Sequence, residues 1–135
     1  MPQLPQQFLN SLHALSGLDI EAFKKIHEGG DRITSIRLNP FKPAELDFDL
    51  TTKVPWAQNA YYLHERPSFT HDPLFQAGAY YVQEAGSMFL EQALVQHVNL
   101  KESIRVLDLC AAPGGKSTLL ASHLNKSSLL ISNEI

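Results

Sequence analysis

The residues with the clearest chemical potential in this 135-residue chain lie in one stretch, LDLCAAPGGKST, at positions 107–118. It contains a Gly-Gly-Lys-Ser sequence and Cys110, which is the only cysteine. Glycines of this kind can cradle a phosphate, admit another cofactor or simply form a tight turn, and a thiol can act as a nucleophile. The neighbouring residues decide between these chemistries.

A phosphate-binding P-loop has the pattern GxxxxGK[ST], which would require a glycine at position 110. Cys110 stands there instead, where a side chain obstructs the tight turn, and Pro113 removes a backbone N–H that a phosphate nest would use. The stretch is therefore a near miss for a P-loop, and P-loop-like nucleotide binding stays open as an alternative.

The GxGxxG pattern of dinucleotide sites is absent, because Ala111, Ala112 and Pro113 occupy the place of its alternating glycines. A loop of small residues suits an adenosyl ligand that lacks phosphates. One segment later, Glu134 follows an apolar run and is placed to accept hydrogen bonds from both ribose hydroxyls of an adenosine. The loop alone fits a cofactor site or a plain turn equally well, but together with Glu134 it predicts an S-adenosylmethionine site.

The segments around the loop indicate half of a nucleotide-type βαβ unit. IRVLDLC at 104–110 and SLLISNEI at 128–135 read as strands buried on both faces, and STLLASHL at 117–124 reads as a helix between them. Upstream, YYV at 80–82 is strand-like, and residues 84–98 place apolar side chains on one face of a largely buried helix. This order positions the loop at the carboxyl end of a parallel sheet.

The first half of the chain reads as a separate α/β unit. Helices are predicted over 5–16 and 20–28, the second with Asp19 as its N-cap and Gly29-Gly30 at its end. Two to four short strands should follow within 33–70. We therefore predict an α/β fold, with a small N-terminal α/β domain at 1–72 followed at 73–135 by the first βαβ part of a Rossmann-like, S-adenosylmethionine-binding sheet.

Composition supports a soluble globular protein, with 44% hydrophobic and 19% charged residues. No apolar run approaches the roughly 18 residues of a membrane span, and the N-terminus lacks the features of a secretory signal. A cytoplasmic protein is therefore predicted. The formal net charge of −3 gives no overall basic field, so RNA binding would need a local patch.

The sequence resembles the Sun/Fmu-type, RsmF-like RNA cytosine-5 methyltransferases. RVLDLCAAPGGKSTLLA is similar to the first cofactor motif of that family, SIRLNP to its Arg-x-Asn segment, and VPW and YYL to its following strands. DPLFQAGAYYVQEAGSMFLEQAL is similar to the segment and helix that precede the cofactor strand. The resemblance covers roughly residues 33 to 135, and positions 1–32 are less diagnostic.

The resemblance implies that residues 73–135 begin the sheet of an S-adenosylmethionine-dependent methyltransferase that acts on RNA, specifically ribosomal RNA. The alternatives are a P-loop-like nucleotide-binding protein and a noncatalytic RNA-binding module that keeps a vestigial loop. The residue that binds the ribose of the cofactor would be Glu134, and no metal ligand is predicted. The implied cofactor loop consists of Cys110, Ala111, Ala112, Pro113, Gly114, Gly115 and Lys116.

The family reaction uses two cysteines in later Pro-Cys and Thr-Cys motifs, one adding to carbon 6 of a cytosine and one assisting product release. Neither motif occurs here, and Cys110 is interpreted as a small packing residue with a backbone role. The chain thus resembles the N-terminal part of such an enzyme, cut after the second strand of its sheet, with no catalytic residue of its own and no activity alone. A bare sheet edge in this truncated domain predicts self-association or partial disorder near residues 100–135.

Several other residues allow two interpretations. Arg37 and Asn39 fit a phosphate contact or a turn backbone equally well. Gln83, Glu84 and Ser87 fit either the wall of the site or the cap of the following helix. The set Trp56, Tyr61, Tyr62 and Arg66 fits RNA stacking less well than the core and rim of a small sheet. The six histidines lack metal-ligand spacing and are interpreted as structural or surface residues.

Overall fold

The computed structural model describes residues 4–29 and 33–135, which fall into two compact units, Met1–Arg32 and Ile33–Ile135. In the first unit, helix α1 spans Gln6–Leu12 and helix α2 spans Ile20–Gly29, so the two predicted helices are confirmed. Asp19 caps α2 as expected, because its Oδ1 accepts a hydrogen bond from the Ala22 N–H at 3.0 Å. Gly30, predicted to help end α2, lies outside the described residues.

The second unit begins with a three-stranded antiparallel sheet. Strand β1 (Thr34–Leu38) lies between β2 (Ala60–Leu63) and β3 (Tyr80–Val82). Ile36 on β1 pairs with Tyr61 on one side and Val82 on the other, and its side chain is completely buried. Two strands, β1 and β2, therefore form within 33–70, where two to four were predicted, and the strand predicted at 80–82 is confirmed. The segment 47–54 contributes only an isolated bridge from Lys53 to Tyr61.

Strand β3 follows the short helix α3 (Pro73–Gln76) and belongs to the same sheet as β1 and β2. The two compact units divide between residues 32 and 33, whereas the sequence predicts a domain boundary at 72. Strand β3 lies beyond residue 72 but pairs with β1, more than forty residues earlier, and the adjacent Gln83 N–H donates a hydrogen bond to the Ser35 carbonyl at 3.1 Å.

A small apolar core joins this sheet to the following helices. Trp56 and Tyr62 pack against it, and the Trp56 indole donates a hydrogen bond to the Ala85 carbonyl at 2.7 Å. The core residues are Val54, Ala57, Ala60, Ala85, Met88 and Leu119. Trp56 and Tyr62 therefore belong to the core and rim of the sheet.

The helical segment after β3 is less buried than the sequence predicts. A 3₁₀ helix at Gly86–Phe89 leads into α4 at Leu90–His97, and one stripe at a spacing of three residues is buried: Ala85, Met88, Glu91 and Leu94. Phe89 and Val95 are exposed, so the prediction of a largely buried helix is wrong. The described residues cover one face of this segment and leave the other in solvent.

The last part of the chain has the predicted order of strand, loop, helix and strand. Strands β4 (Arg105–Asp108) and β5 (Leu129–Ser132) are parallel, and helix α5 (Gly115–His123) connects them. The prediction that both strands are buried on both faces is wrong, because Leu107 is 58% exposed and Ile131 is 53% exposed. Among the described residues, no helix is long and apolar enough to cross a membrane.

Candidate functional site

A cavity of about 210 Å³ lies between the end of the three-stranded sheet and the loop after β4. The sheet side of the cavity is lined by Tyr81, Val82, Gln83, Glu84 and Ser87. The loop side is lined by Cys110, Ala111, Ala112, Pro113, Gly115 and Lys116. Six of the eight residues predicted to bind a cofactor therefore share one wall of a single cavity.

Asp108, the last residue of β4, ties together the two ends of the loop. One carboxylate oxygen accepts a hydrogen bond from the Cys110 N–H at 3.2 Å, and the other accepts one from the Ser117 hydroxyl at 2.6 Å. Sequence reasoning missed this role of Asp108. The available signal was an acidic residue inside an apolar strand immediately before the glycines.

The two glycines of the loop differ in conformation. Gly114 has a φ of +104°, in the left-handed region that favours glycine, and it directly precedes α5. Gly115 begins the helix, and a Cβ added there would lie 3.4 Å from the Tyr81 ring and 3.5 Å from the Gln83 amide. Gly114 therefore makes the turn, whereas Gly115 keeps the space in front of the sheet open.

The first turn of α5 borders the cavity through Gly115 and Lys116. Its first helical hydrogen bond runs from the Thr118 N–H to the Gly114 carbonyl, and no side chain among the described residues caps this end. The N–H groups of Gly115, Lys116 and Ser117 precede that bond, as in any helix N-terminus. Together with the positive end of the helix dipole they suit an anionic group such as a carboxylate.

Glu134 lies two residues beyond β5 and reaches back to the loop. Its Oε2 accepts a hydrogen bond from the Ala112 N–H at 2.7 Å, and the adjacent Asn133 carbonyl accepts one from the Ala111 N–H at 3.0 Å. The structure thus brings Glu134 to the predicted loop, although its side chain does not line the cavity. A carboxylate has about four acceptor sites, so this bond leaves it able to accept from hydroxyl groups.

The sheet holds the other side of the loop and helix in place. The Tyr81 hydroxyl donates to the Pro113 carbonyl at 2.8 Å. Arg37 on β1 donates from Nε to Gln83 Oε1 at 3.0 Å and from Nη2 to the Thr118 hydroxyl at 2.7 Å. Arg37 also donates to the backbone carbonyls of Gly115 at 3.3 Å and Thr118 at 3.5 Å, so it binds the backbone of a helix rather than that of a turn.

The surroundings of Arg37 act on its pKa in two directions. Burial of the guanidinium lowers the pKa, and the nearby Glu91 carboxylate and Tyr81 hydroxyl raise it. Arginine keeps its charge in proteins even when its pKa is lowered. The sheet therefore presents a buried positive charge to the first turn of α5.

Asn39 and Glu84 bind backbone groups. The Asn39 amide donates to the Gly78 carbonyl at 2.9 Å, which is a turn contact. The two Glu84 oxygens accept from the N–H groups of Gly86 and Ser87, each at 2.8 Å. Glu84 thus satisfies both of its interpretations, since it caps the following helix and lines the cavity.

Cys110 is exposed, so the interpretation of this residue as a packing residue is wrong. The backbone role is confirmed by its N–H bond to Asp108. The reason for the exposure is its position after β4, where the chain has left the sheet and turns along the cavity.

None of the remaining candidates lines the cavity. The Arg66 guanidinium lies 5.1 Å from the centre of the Phe69 ring, and His123 Nε2 lies 3.4 Å from the buried Glu91 carboxylate. Within 4–29 and 33–135, no cluster of three or more histidine, cysteine or acidic side chains could hold a metal ion.

Known proteins resemble this chain at both the sequence and structural levels. Residues 4–85 match the family described as the N-terminal domain of 16S rRNA methyltransferase RsmF. Ribosomal RNA small subunit methyltransferase F of Escherichia coli O1:K1 is 35% identical over 113 residues, covering 74% of this chain and 23% of that protein. The protein of that name from Vibrio atlanticus is 32% identical, covering 97% of this chain and 30% of its own length.

The chain therefore spans about a quarter to a third of the curated relatives it matches. The crystal structure of PH0851 covers 95% of this chain and 30% of its own, with a TM-score of 0.66 at 22% identity, which shows a shared fold. With 82 of its 135 residues inside the family match, the chain belongs to the family of the N-terminal domain of 16S rRNA methyltransferase RsmF.

Proposed function

We propose that the chain is the N-terminal portion of an S-adenosylmethionine-dependent ribosomal RNA methyltransferase and that it carries part of the cofactor site. The observation that carries this proposal is the cavity in which a loop of small residues meets the uncapped N-terminus of α5. The names of the relatives, which are ribosomal RNA methyltransferases, support the reaction class.

Each part of the cofactor has a matching group in this arrangement. The amides of Gly115, Lys116 and Ser117 would receive the methionine carboxylate, and Glu134 would accept hydrogen bonds from the ribose hydroxyls. The cavity, at about 210 Å³, is smaller than the roughly 300 Å³ of ordinary ligand pockets, so it fits one part of the cofactor rather than all of it. S-adenosylmethionine supplies the methyl group.

The proposed reaction is transfer of that methyl group to carbon 5 of a cytosine, as the family resemblance implies. This chemistry needs a cysteine thiolate that adds to carbon 6, and Cys110 belongs to the cofactor loop. The proposal therefore assigns the nucleophile to another part of the enzyme and predicts that the 135-residue chain alone has no methyltransferase activity.

The proposed partner is ribosomal RNA, in the cytoplasm, with residues 1–72 contributing to its binding. A net charge of −3 requires a local basic surface for that contact. Self-association through the β4–β5 sheet also remains a prediction, supported by the exposure of Leu107 and Ile131 on these strands.

P-loop-like nucleotide binding is the second candidate, favoured by the Gly-Gly-Lys-Ser sequence at an uncapped helix N-terminus. Calorimetry of this chain with S-adenosylmethionine and with ATP-Mg separates the two. We expect binding of S-adenosylmethionine and a loss of affinity of about tenfold for Glu134→Gln, because a neutral amide is a weaker acceptor for two hydroxyls.

The matched control is Glu45→Gln, an isosteric change at an exposed acid outside the cavity, which should leave the affinity unchanged. Binding of ATP-Mg without binding of S-adenosylmethionine would overturn the proposed function. Equal affinities of the Glu134→Gln and wild-type chains would overturn the role of Glu134.

A further inference from the structure

We propose that Arg37 is the positioning residue of the cofactor helix: it holds the first turn of α5 on the three-stranded sheet and so sets the direction of the amides that face the ligand. This inference rests on the proposed function and adds a residue that lies outside the cavity lining. According to this inference, the buried guanidinium of Arg37 on β1 affects the affinity of the site for the cofactor.

Arg37 makes four hydrogen bonds from a buried position, with only 4% of its surface exposed. Nη2 donates to the Thr118 hydroxyl at 2.7 Å and to the Gly115 carbonyl at 3.3 Å, and Nη1 donates to the Thr118 carbonyl at 3.5 Å. Nε donates to Gln83 Oε1 at 3.0 Å. Three of the four bonds thus end on the first turn of α5.

Thr118 extends this contact to the glycine that makes the turn. Its hydroxyl receives the Arg37 bond and donates to the carbonyl of Gly114 at 2.8 Å, with a longer contact of 3.2 Å to Gly115. Hydrogen bonds in such a series polarise and strengthen one another. The guanidinium is therefore connected to the residue with a φ of +104° that aims the helix.

Gln83 extends the contact to the cavity wall. Its Oε1 accepts from Arg37 and its Nε2 donates to the Ser87 hydroxyl at 3.1 Å, so both ends of the amide are fixed. The same amide lies against Gly115 and lines the cavity. Arg37 thus fixes two facing walls at once.

The chemistry of arginine suits this role better than that of any other residue. A planar guanidinium presents five donors in a fixed geometry, whereas a lysine ammonium is one compact charge that cannot reach Gln83, Gly115 and Thr118 together. A buried charge is costly unless it is hydrogen-bonded, and here carbonyl, hydroxyl and amide oxygens accept hydrogen bonds from all three guanidinium nitrogens. The arrangement therefore depends on the forked, planar shape of the guanidinium and not only on its charge.

The test combines three substitutions and one control. Arg37→Lys keeps the charge and removes the fork, Thr118→Ala removes the connecting hydroxyl at an exposed position, and Thr118→Ser keeps it. Thr34→Val is the control, an isosteric change at a buried position on the same strand. The readouts are the dissociation constant for S-adenosylmethionine, the thermal midpoint and the NMR shifts of the Gly115, Lys116 and Ser117 amides without ligand.

We expect the dissociation constant to rise about tenfold in Arg37→Lys and about threefold in Thr118→Ala, as for the loss of charge-assisted hydrogen bonds. Thr118→Ser and Thr34→Val should remain within twofold of wild type. The amides of residues 115–117 should shift in the first two variants and not in the others. A merely stabilising role would change the thermal midpoint without this pattern of amide shifts.

A folded Arg37→Lys chain with wild-type affinity and unshifted amides would overturn the inference. If Arg37→Lys does not fold, the comparison of Thr118→Ala with Thr118→Ser decides, and identical amide shifts in these two chains would overturn it. A wild-type chain that binds no S-adenosylmethionine would instead overturn the proposed function, because the amide shifts test Arg37 without any ligand.

Discussion

The two sheets of this protein differ in how far their apolar side chains are buried. In the three-stranded sheet, Ile36 lies on the central strand and is fully buried. In the two-stranded parallel sheet, Leu107 and Ile131 remain more than half exposed. The three-stranded sheet therefore buries its central apolar side chain, whereas the parallel sheet leaves apolar side chains exposed to solvent.

The cavity lies between the end of the three-stranded sheet and the loop after β4, and its two sides differ in what they contribute. The three-stranded sheet supplies fixed side chains such as Arg37 and Tyr81, each of which reaches the loop or the helix through a hydrogen bond. The other side consists of the loop after β4, whose residues are mostly small, and of Gly115 and Lys116 at the start of α5. A site whose walls are held in place by hydrogen bonds from a rigid sheet is preorganised for its ligand.

The largest expected effect is a difference in the free energy of unfolding between alanine variants of the two sheets. Ile36→Ala should lower the free energy of unfolding by about 3 kcal/mol, because it leaves a cavity in a packed interior. Ile131→Ala, at 53% exposure, should lower it by less than about 1 kcal/mol. Urea unfolding of the two variants measures both values.

Similar losses in the two alanine variants would contradict the comparison. They would mean that Ile131 is covered in solution, as self-association of the parallel sheet requires. Repeating the measurement over a range of protein concentrations distinguishes these cases, since only an associated form has a stability that depends on concentration.

A smaller difference in stability is expected between alanine variants of the two glycines, Gly114 and Gly115. Gly114→Ala should lower the free energy of unfolding by about 1 to 2 kcal/mol, because its φ of +104° disfavours a side chain although nothing lies within 4 Å of the added Cβ. Gly115→Ala, whose Cβ would make ordinary contacts, should keep the stability near that of wild type. Thermal unfolding compares the pair, and an equal loss in both would show that the turn conformation is not the cause.

The smallest effect concerns the corner where α3 meets β3. The Tyr80 hydroxyl donates to Asp72, and this bond holds the pKa of the Asp72 carboxyl below its usual range. A lowered pKa in the folded chain means stability that is present above the unfolded pKa of about 3.9 and is lost as the pH falls through the folded value. Tyr80→Phe should therefore lose less stability on acidification than wild type.

The control for this prediction is Tyr62→Phe, since Tyr62 packs against the core without contacting Asp72. Denaturant unfolding between about pH 5 and pH 2.5 covers the relevant range. Parallel pH profiles for wild type and Tyr80→Phe would show that the hydroxyl does not hold the carboxylate.

Local patterns account for the parts of this structure that the sequence predicted. The strands at 34–38, 60–63 and 80–82, the capped helix after Asp19 and the glycine turn before α5 each depend on residues within a few positions of one another. The resemblance to the methyltransferase family is also confirmed, because residues 4–85 match its N-terminal domain.

Two features of the site depend on positions that are far apart in sequence. Arg37 reaches residues 78 and 81 positions later, and a single sequence carries no signal for such a contact. The exposure of Leu107 and Cys110 was missed for a related reason. Burial of a strand depends on what covers it, and its own hydrophobicity does not report that coverage.

The central claim is that the start of α5 receives the ligand, and an NMR titration of this chain with S-adenosylmethionine tests it most directly. We predict that the largest backbone shifts fall on Gly115, Lys116 and Ser117, saturate with the ligand and do not occur with ATP-Mg. Shifts confined to residues outside 110–117, or saturation by ATP-Mg in place of S-adenosylmethionine, would contradict the account.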